Sequence, residues 1–167
     1  MNQDQYDWSQ FIITFYYPVS VEKLFETWTT ANGLESFFIE ECKFGSKRKN
    51  EIAEKGDSYN FQWRHDFNVS GEVLEVEKNK YFSYTFGSMK VSIKFEKTEN
   101  GSMCFIHQEN ITEDNKMMGH LNCRSCWIFF MTNLKSVYMT ATDLRDENPE
   151  IVSSMEVEFI TKELGPL

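Results

Sequence analysis

The sequence predicts a single α+β domain in which a curved antiparallel β-sheet wraps around a long C-terminal α-helix, with two short helices near the N-terminus. Three observations predict this architecture. An apolar stripe with helical spacing lies near the N-terminus, segments of alternating apolar and polar residues fill the middle of the chain, and a longer helical stripe follows. Short turns separate the alternating segments, and this favours an antiparallel sheet over a parallel one.

The chain begins with a predicted strand and a pair of helices. Residues 11–17 are mostly β-branched or aromatic and stop at Pro18, which is typical of a strand. Ser20 can cap a helix, and Asn32-Gly33 is predicted to end it. Residues 34–38 are predicted to add one or two further helical turns. The apolar face of the first helix carries four residues at helical spacing: Val21, Leu24, Phe25 and Trp28.

The central part of the chain, up to about residue 111, predicts consecutive strands. Asn100-Gly101 is a strong hairpin signal. In the strand that covers residues 69–76 the alternation changes parity between Val73 and Leu74, which predicts a β-bulge. One sheet face receives bulky side chains from three alternating series: Tyr59, Phe61 and Trp63; Phe82, Tyr84 and Phe86; and Met89, Val91, Ile93 and Phe95.

A long helix is predicted over residues 115–141, where these residues recur at helical spacing: Trp127, Phe130, Met131, Leu134, Val137, Tyr138 and Ala141. Its length of about 40 Å, at 1.5 Å per residue, is enough to cross the sheet. Residues 1–145 are therefore predicted to form the folded domain, and residues 146–167 an acidic extension. Within that extension, residues 155–160 alternate weakly, which predicts either an edge strand or a docked tail.

Charge and hydropathy restrict the partners that the chain can have. It carries 26 acidic and 17 basic residues and therefore has a net charge of −9. The negative electrostatic field of such a chain repels the phosphate backbone of nucleic acids. No stretch is apolar for long enough to insert stably into a membrane. Residues 1–10 are polar and unlike a signal peptide, so a cytoplasmic location is predicted. Four cysteines fit that compartment as small buried side chains.

Four segments resemble motifs of the START-like (SRPBCC, helix-grip) superfamily. Residues 15–29 resemble its N-terminal strand and helix, residues 33–38 its next short helix, residues 71–76 its middle strand, and residues 126–136 its C-terminal helix. The most similar branch contains the C-terminal domain of the activator of the ninety-kilodalton heat-shock protein's ATPase. The resemblance covers about residues 9–145 and implies a cavity between sheet and helix. Two positions differ: Cys126 replaces a residue that is usually glycine, and Gln108 stands where many members carry histidine.

The resemblance and the aromatic content together predict that the domain binds ligands. Aromatic residues make up 16% of the chain, which indicates either a bulky core or a lined cavity. Polar ligand contacts are predicted from Arg64, His107 and Gln108. In the alternative interpretation the rings fill the space and leave a solid core. The predicted lining of the pocket is Trp28, Phe37, Phe38, Tyr59, Phe61, Trp63, Phe82, Tyr84, Phe86, Trp127, Met131 and Leu134.

The sequence predicts neither a metal site nor catalytic residues, and no cofactor. His120, Cys123 and Cys126 have a ligand-like spacing, but on one helix they spread over about 240°. Zinc sites need convergent ligands, so packed thiols are the better interpretation. The clusters Glu40-Glu41 and His65-Asp66 are predicted to be solvated, and no nucleophile has a recognisable partner set.

Three functions follow from the sequence. In the first, the domain binds a small hydrophobic or amphipathic ligand in the cavity. In the second, it is a co-chaperone-like module that binds a chaperone protein, as the resemblance to the ATPase activator implies. In the third, it is an enzyme of the cyclase or hydrolase type that occurs on the same fold. The chain is predicted to be a monomer or a homodimer, and an enzymatic role is the less favoured one.

Overall fold

A computed structural model describes residues 6–65, 67–148, 150, 151, 155 and 157. It contains seven strands, β1 (Phe11–Tyr17), β2 (Glu41–Phe44), β3 (Ser58–Gln62), β4 (Asn68–Glu77), β5 (Tyr81–Phe86), β6 (Met89–Thr98) and β7 (Gly101–Glu109). The helices are α1 (Val21–Thr29), α2 (Ala31–Glu35) and α3 (Cys123–Thr140), and α3 follows a 3₁₀ turn (Glu113–Asn115) and a π-helical segment (Lys116–Asn122). The predicted α+β fold, with a curved antiparallel sheet and a long C-terminal helix, is confirmed.

The strands form one antiparallel sheet in the order β1-β7-β6-β5-β4-β3-β2. The chain therefore meanders from β2 to β7, and β1 joins the far edge beside β7. The predicted bulge is confirmed, because the register between β4 and β5 shifts between Val73 and Glu75. Strands β1 and β2 form the two edges of the sheet, and helices α1 and α2 connect them in the sequence.

The first helix ends earlier than the sequence predicts. Thr30 follows α1, and its hydroxyl accepts a hydrogen bond from the Gly33 backbone at 3.1 Å, which caps α2. Asn32 and Gly33 therefore lie inside α2 instead of terminating α1. Glycine is required at residue 33 for a different reason, since a Cβ there would overlap the main chain of Thr27. The sequence predicted a C-cap where the structure has a close helix–helix approach.

The centre of the sheet packs into a solid aromatic core. Phe61 lies 4.1 Å from Tyr59 and 5.5 Å from Tyr84 between ring centroids, and its side chain is fully buried. Trp28 of α1 contacts the Phe37 ring at 5.4 Å. Such packing leaves these rings no open face, so any binding space must lie elsewhere.

The C-terminal helix begins with a π-helical segment instead of an uninterrupted α-helix over residues 115–141. Gly119 and His120 are buried within that segment, and the Gly119 carbonyl accepts a hydrogen bond from the Gln108 side chain at 2.8 Å. A π-helical turn carries an extra residue and redirects the backbone, and such turns often occur at functional sites. None of the helices in the described part of the chain is both long and apolar enough to cross a membrane.

After α3 the chain turns back along the domain. Arg145 donates hydrogen bonds to the carbonyls of Ile39 and Glu35, each at 2.7 Å. Asn133 of α3 donates to the Phe37 carbonyl at 2.9 Å and accepts from the Leu144 backbone at 2.6 Å. The predicted strand or tail at residues 155–160 lies mostly outside the described residues.

Candidate functional site

A cavity of about 390 Å³ lies between one end of the sheet and the start of the C-terminal helix. Its walls come from the α2–β2 connection, the β3–β4 and β5–β6 turns, the π-helical segment and the first turns of α3. Most of the lining is aromatic or contains sulfur: Phe38, Trp63, Phe67, Phe86, Met89, Met118, Cys123, Cys126, Trp127 and Phe130. The other lining residues are Arg64, Asn115, Gly119 and Asn122. The cavity is therefore an apolar site with a few polar groups, which is typical of small-molecule sites.

Phe38 organises the aromatic wall. Its ring stacks on Trp127 at 4.9 Å with an interplanar angle of 23°, and it meets the edges of Phe130 at 4.9 Å and Trp63 at 5.2 Å. The Trp63 indole donates a hydrogen bond to the Phe38 carbonyl at 3.1 Å. These contacts hold large rings in fixed orientations, so the cavity is preformed.

Gln108 of β7 supports the wall from beneath. The Trp127 indole donates a hydrogen bond to the side-chain oxygen of Gln108 at 2.8 Å, and the amide nitrogen of Gln108 donates to the Gly119 carbonyl at 2.8 Å. Gln108 is fully buried, so these bonds satisfy an amide that has no access to water. One side chain thus fixes both Trp127 and the π-helical segment.

Arg64 lies at the rim of the cavity, and its guanidinium is already bound. It donates to the Glu40 carboxylate at 3.2 Å, to the carbonyls of Asn148 at 2.9 Å and Ile151 at 3.3 Å, and to the Asp146 carbonyl. The side chain therefore attaches the segment after α3 to the rim, and its positive charge is offset by Glu40.

Two thiols face the cavity. Burial raises the pKa of Cys126 to about 11, and it also raises the pKa of Cys123. Both groups are therefore neutral thiols at pH 7, and they act as small polarizable wall atoms instead of nucleophiles. Cys42 and Cys104 lie buried in the core.

His120 is separated from these thiols. It lies under the N-terminal residues, where its Nε2 is 2.7 Å from the Tyr6 hydroxyl and its Nδ1 is 3.1 Å from the Trp8 carbonyl. The rings of Tyr6, Trp8 and Phe11 surround it with centroid distances of 5.1–5.3 Å. Within the described residues, no group of three or more histidine, cysteine or acidic side chains could hold a metal ion.

The structure places the predicted pocket residues in three locations. Five of them line the cavity: Phe38, Trp63, Arg64, Phe86 and Trp127. His107 lies on the other sheet face, where its Nε2 is 2.8 Å from the Gln10 side-chain oxygen. The remaining residues pack in the core: Trp28, Phe37, Tyr59, Phe61, Phe82, Tyr84, Met131 and Leu134.

Several lining residues carry no sequence signal for a pocket. Phe67 lies in the β3–β4 turn, outside any alternating series, and it is 60% exposed at the mouth. Met118 and Asn122 line the cavity from the π-helical segment, which the helical spacing did not predict. Phe130 is part of the predicted helical stripe and could have been assigned to the pocket on that basis.

Of the acidic clusters, Glu40 binds Arg64 and Glu41 binds Lys43 at 3.0 Å, while Asp66 lies outside the described residues.

Comparison with known proteins identifies similar families and folds. Residues 18–139 match the family model described as "Activator of Hsp90 ATPase homolog 1-like protein". Among curated proteins, no sequence matches.

Three solved structures illustrate the shared fold. Protein SSP2350 from Staphylococcus saprophyticus is 18% identical with a TM-score of 0.69, over 80% of this chain and 94% of that one. The Aha1 dimer from Colwellia psychrerythraea is 17% identical with a TM-score of 0.66, over 78% and 96%. Protein MLL2253 from Mesorhizobium loti is 19% identical with a TM-score of 0.67, over 81% and 99%.

Proposed function

Because the chain belongs to the family of Activator of Hsp90 ATPase homolog 1-like proteins, whose fold can hold a cavity between sheet and helix, we propose that it binds a small apolar or amphipathic molecule there. The family assignment agrees with the START-like resemblance seen in the sequence. The observation that carries the proposal is the preformed aromatic cavity of about 390 Å³ beside Trp127. Its volume falls in the range of about 300–1,000 Å³ that is usual for ligand sites.

The driving force for binding is burial of apolar surface. A ligand that buries about 200 Å² of apolar surface gains about 5 kcal/mol before the cost of its own ordering. The rings of Phe38, Trp63 and Trp127 are already fixed by mutual contacts and hydrogen bonds, so little further ordering of the protein is needed. The described lining is mostly aromatic or sulfur-containing, which supports binding as the proposed role.

A fluorescence titration with N-phenyl-1-naphthylamine, an uncharged apolar probe, tests the proposal. We expect saturable binding to the wild type. Cys126→Phe places a ring in the cavity and should weaken binding by at least about tenfold, because the probe loses the space it occupies. Ile128→Phe adds a ring to the same helix at a side chain that is 45% exposed, and it should bind like the wild type.

Two outcomes would contradict the ligand-binding proposal. One is the absence of saturable probe binding to a folded wild-type chain. The other is unchanged binding by Cys126→Phe when thermal unfolding shows that this variant is folded.

The family description supports a second candidate, a co-chaperone-like protein-interaction module. Ile12 and Tyr16 of β1, which are 63% and 60% exposed, lie on the sheet face that is turned away from α3. The ATPase rate of an Hsp90-type chaperone, with and without the chain, tests this candidate. Stimulation that survives Cys126→Phe but is lost in Ile12→Ser/Tyr16→Ser would separate this function from ligand binding; no change in the rate would exclude it.

We propose a monomer or a homodimer in the cytoplasm as the working form. The Colwellia relative is described as a dimer, which favours testing self-association first. Light scattering coupled to size exclusion gives the mass directly, and a tetramer or larger assembly would contradict the proposal.

A further inference from the structure

The polar groups around the cavity are few, and they differ in whether they can still accept a ligand. Arg64 is the one charged residue in the described lining, and Asn115 and Asn122 are the two amides. The nature of a bound ligand's polar end depends on which of these groups has unused hydrogen-bonding capacity. This inference rests on the ligand-binding function proposed above.

Arg64 has little capacity left for an anionic ligand. A guanidinium has five N–H donors, and four are directed at the Glu40 carboxylate and at the carbonyls of Asp146, Asn148 and Ile151. A ligand carboxylate could use only the one remaining N–H donor unless it displaced Glu40 or detached the segment after α3. It would also enter a chain whose net charge is −9.

The cavity does not suit a cation either. No carboxylate is present in the described lining, and the Glu40 carboxylate at the rim is paired with Arg64. A buried charge without a partner costs far more free energy than a buried neutral group that makes a hydrogen bond. Aromatic walls alone contribute about 0.5–2 kcal/mol to a cation, which does not offset that cost.

Both amides, by contrast, have unused hydrogen-bonding capacity, since the Asn115 side chain forms no capping bond either. Asn122 lies directly before Cys123 and one helical turn before Cys126, two thiols of the cavity wall. Its oxygen makes one weak contact, with the Cys126 thiol at 3.8 Å, and its NH₂ group has no hydrogen-bond partner among the described residues. It is the last residue of the π-helical segment, directly before α3, and its side chain forms no capping bond there. Nothing in the helix therefore requires an amide at this position.

We propose that the cavity selects uncharged amphipathic molecules, with an apolar body and one hydroxyl or carbonyl group, and that Asn122 binds this polar group. The apolar body lies against Phe38, Trp127 and Phe130. The amide can donate to a carbonyl or exchange both kinds of hydrogen bond with a hydroxyl.

Three ligands with ten-carbon chains test the charge selection. 1-Decanol, decanoate and decyltrimethylammonium each compete with N-phenyl-1-naphthylamine in a titration. The concentrations stay below the solubility limit of decanol and the micelle concentrations of the two ions, at a pH well above the pKa of the acid. We expect decanol to bind at least about tenfold more tightly than either ion. Equal or tighter binding of decanoate, or of the ammonium ion, would overturn the inference.

Two substitutions test the role of Asn122. Asn122→Leu should weaken the binding of decanol about two- to tenfold, because one hydrogen bond is lost. The affinity for the naphthylamine probe should be unchanged. Asn122→Lys should place a free positive charge at the cavity and raise the affinity for decanoate at least about tenfold. The matched controls are Asn60→Leu and Asn60→Lys, which change an amide on the face of β3 that is turned away from the core. They should change the affinity for neither decanol nor decanoate.

The results separate this inference from the proposed function. If the wild-type chain does not bind the naphthylamine probe, the ligand-binding function itself is wrong. If the probe binds but Asn122→Leu, shown to be folded by thermal unfolding, retains full decanol affinity, the assignment of Asn122 is wrong and the ligand-binding function stands.

Discussion

Gln108 shows how one buried side chain controls the cavity. It accepts a hydrogen bond from Trp127 and donates one to the Gly119 carbonyl, and it is fully buried while it does so. Two elements that meet at the cavity are therefore held by one amide. The sequence placed Gln108 among the polar ligand contacts, whereas the structure places it behind the wall.

Gln108→Leu should destabilise the fold by about 2–4 kcal/mol, because it leaves the Trp127 indole and the Gly119 carbonyl buried without partners. Urea unfolding measures this change. His107→Leu alters the neighbouring residue on the other sheet face and serves as the control, with an expected change below about 0.5 kcal/mol. Equal effects of the two substitutions would contradict the role given to Gln108.

His120 connects the N-terminal residues to the π-helical segment as a neutral imidazole. The Trp8 carbonyl can only accept, so Nδ1 carries the proton and Nε2 accepts from the Tyr6 hydroxyl. Burial lowers the pKa of His120 from its ordinary value of 6.5, and Arg124 lowers it further. The hydrogen bond to the Trp8 carbonyl and the charge of Asp7 oppose this shift without cancelling it.

Because the pKa of His120 is lower in the folded than in the unfolded chain, its contribution to stability is complete above about pH 6.5 and is lost as the pH falls toward the folded pKa. We expect the free energy of unfolding to decrease between about pH 7 and pH 5.5, before most carboxylates titrate. His120→Gln should reduce that decrease. An identical pH profile for the variant would contradict the assignment.

At the scale of elements, the π-helical segment is the feature that distinguishes the C-terminal helix from a regular one. It passes close to β6 and to the residues after β7, since a Cβ on Gly119 would lie 2.9 Å from Ile111 Cγ2 and 3.0 Å from Met89 Sδ. Glycine is therefore what lets this segment approach the sheet. The approach also brings Met118 and Asn122 to the cavity wall.

Gly119→Ala should move the segment outward, with a loss of about 1–3 kcal/mol from overpacking. We also expect weaker binding of the naphthylamine probe, because the wall formed by this segment shifts. Met118→Ala, at an adjacent residue that is 54% exposed, is the control for stability. A fully stable Gly119→Ala variant with unchanged probe affinity would contradict this account.

At the scale of the whole molecule, the described residues directly after α3 belong to the packed structure. Arg145 reaches the carbonyls of Ile39 and Glu35 and pairs with Asp143 at 2.6 Å, and Arg64 binds the chain beyond it. These bonds connect the end of α3 to the α2–β2 connection. The attachment involves residues on both sides of the predicted boundary at residue 145, which stays a prediction.

Arg145→Ala should lower the free energy of unfolding by about 2–4 kcal/mol, because two carbonyls and a carboxylate lose their donor. Arg145→Lys should recover only part of this loss, since an ammonium cannot match the planar, forked geometry of a guanidinium. Chemical denaturation measures both variants. Full recovery by lysine would show that charge alone is responsible.

The sequence could predict the fold but only part of the cavity wall, and the reason is physical. Alternation at Tyr59, Phe61 and Tyr84 shows which sheet face these rings occupy, and all three do point inward. It does not show whether rings on that face touch one another or leave a gap, because that depends on sheet curvature and on the position of α3. The gap lies at the end of the sheet, where Phe67 and the π-helical segment carry no periodic signal.

The stacked pair of Phe38 and Trp127 gives the protein an optical reporter of its own. Two of the four tryptophans, Trp63 and Trp127, face the cavity, whereas Trp28 is enclosed in the core and Trp8 covers His120. If ligands bind there as proposed, we expect intrinsic emission to change and energy transfer to a bound naphthylamine to quench it, without any chemical label. The same two indoles would report the binding of non-fluorescent test ligands such as 1-decanol.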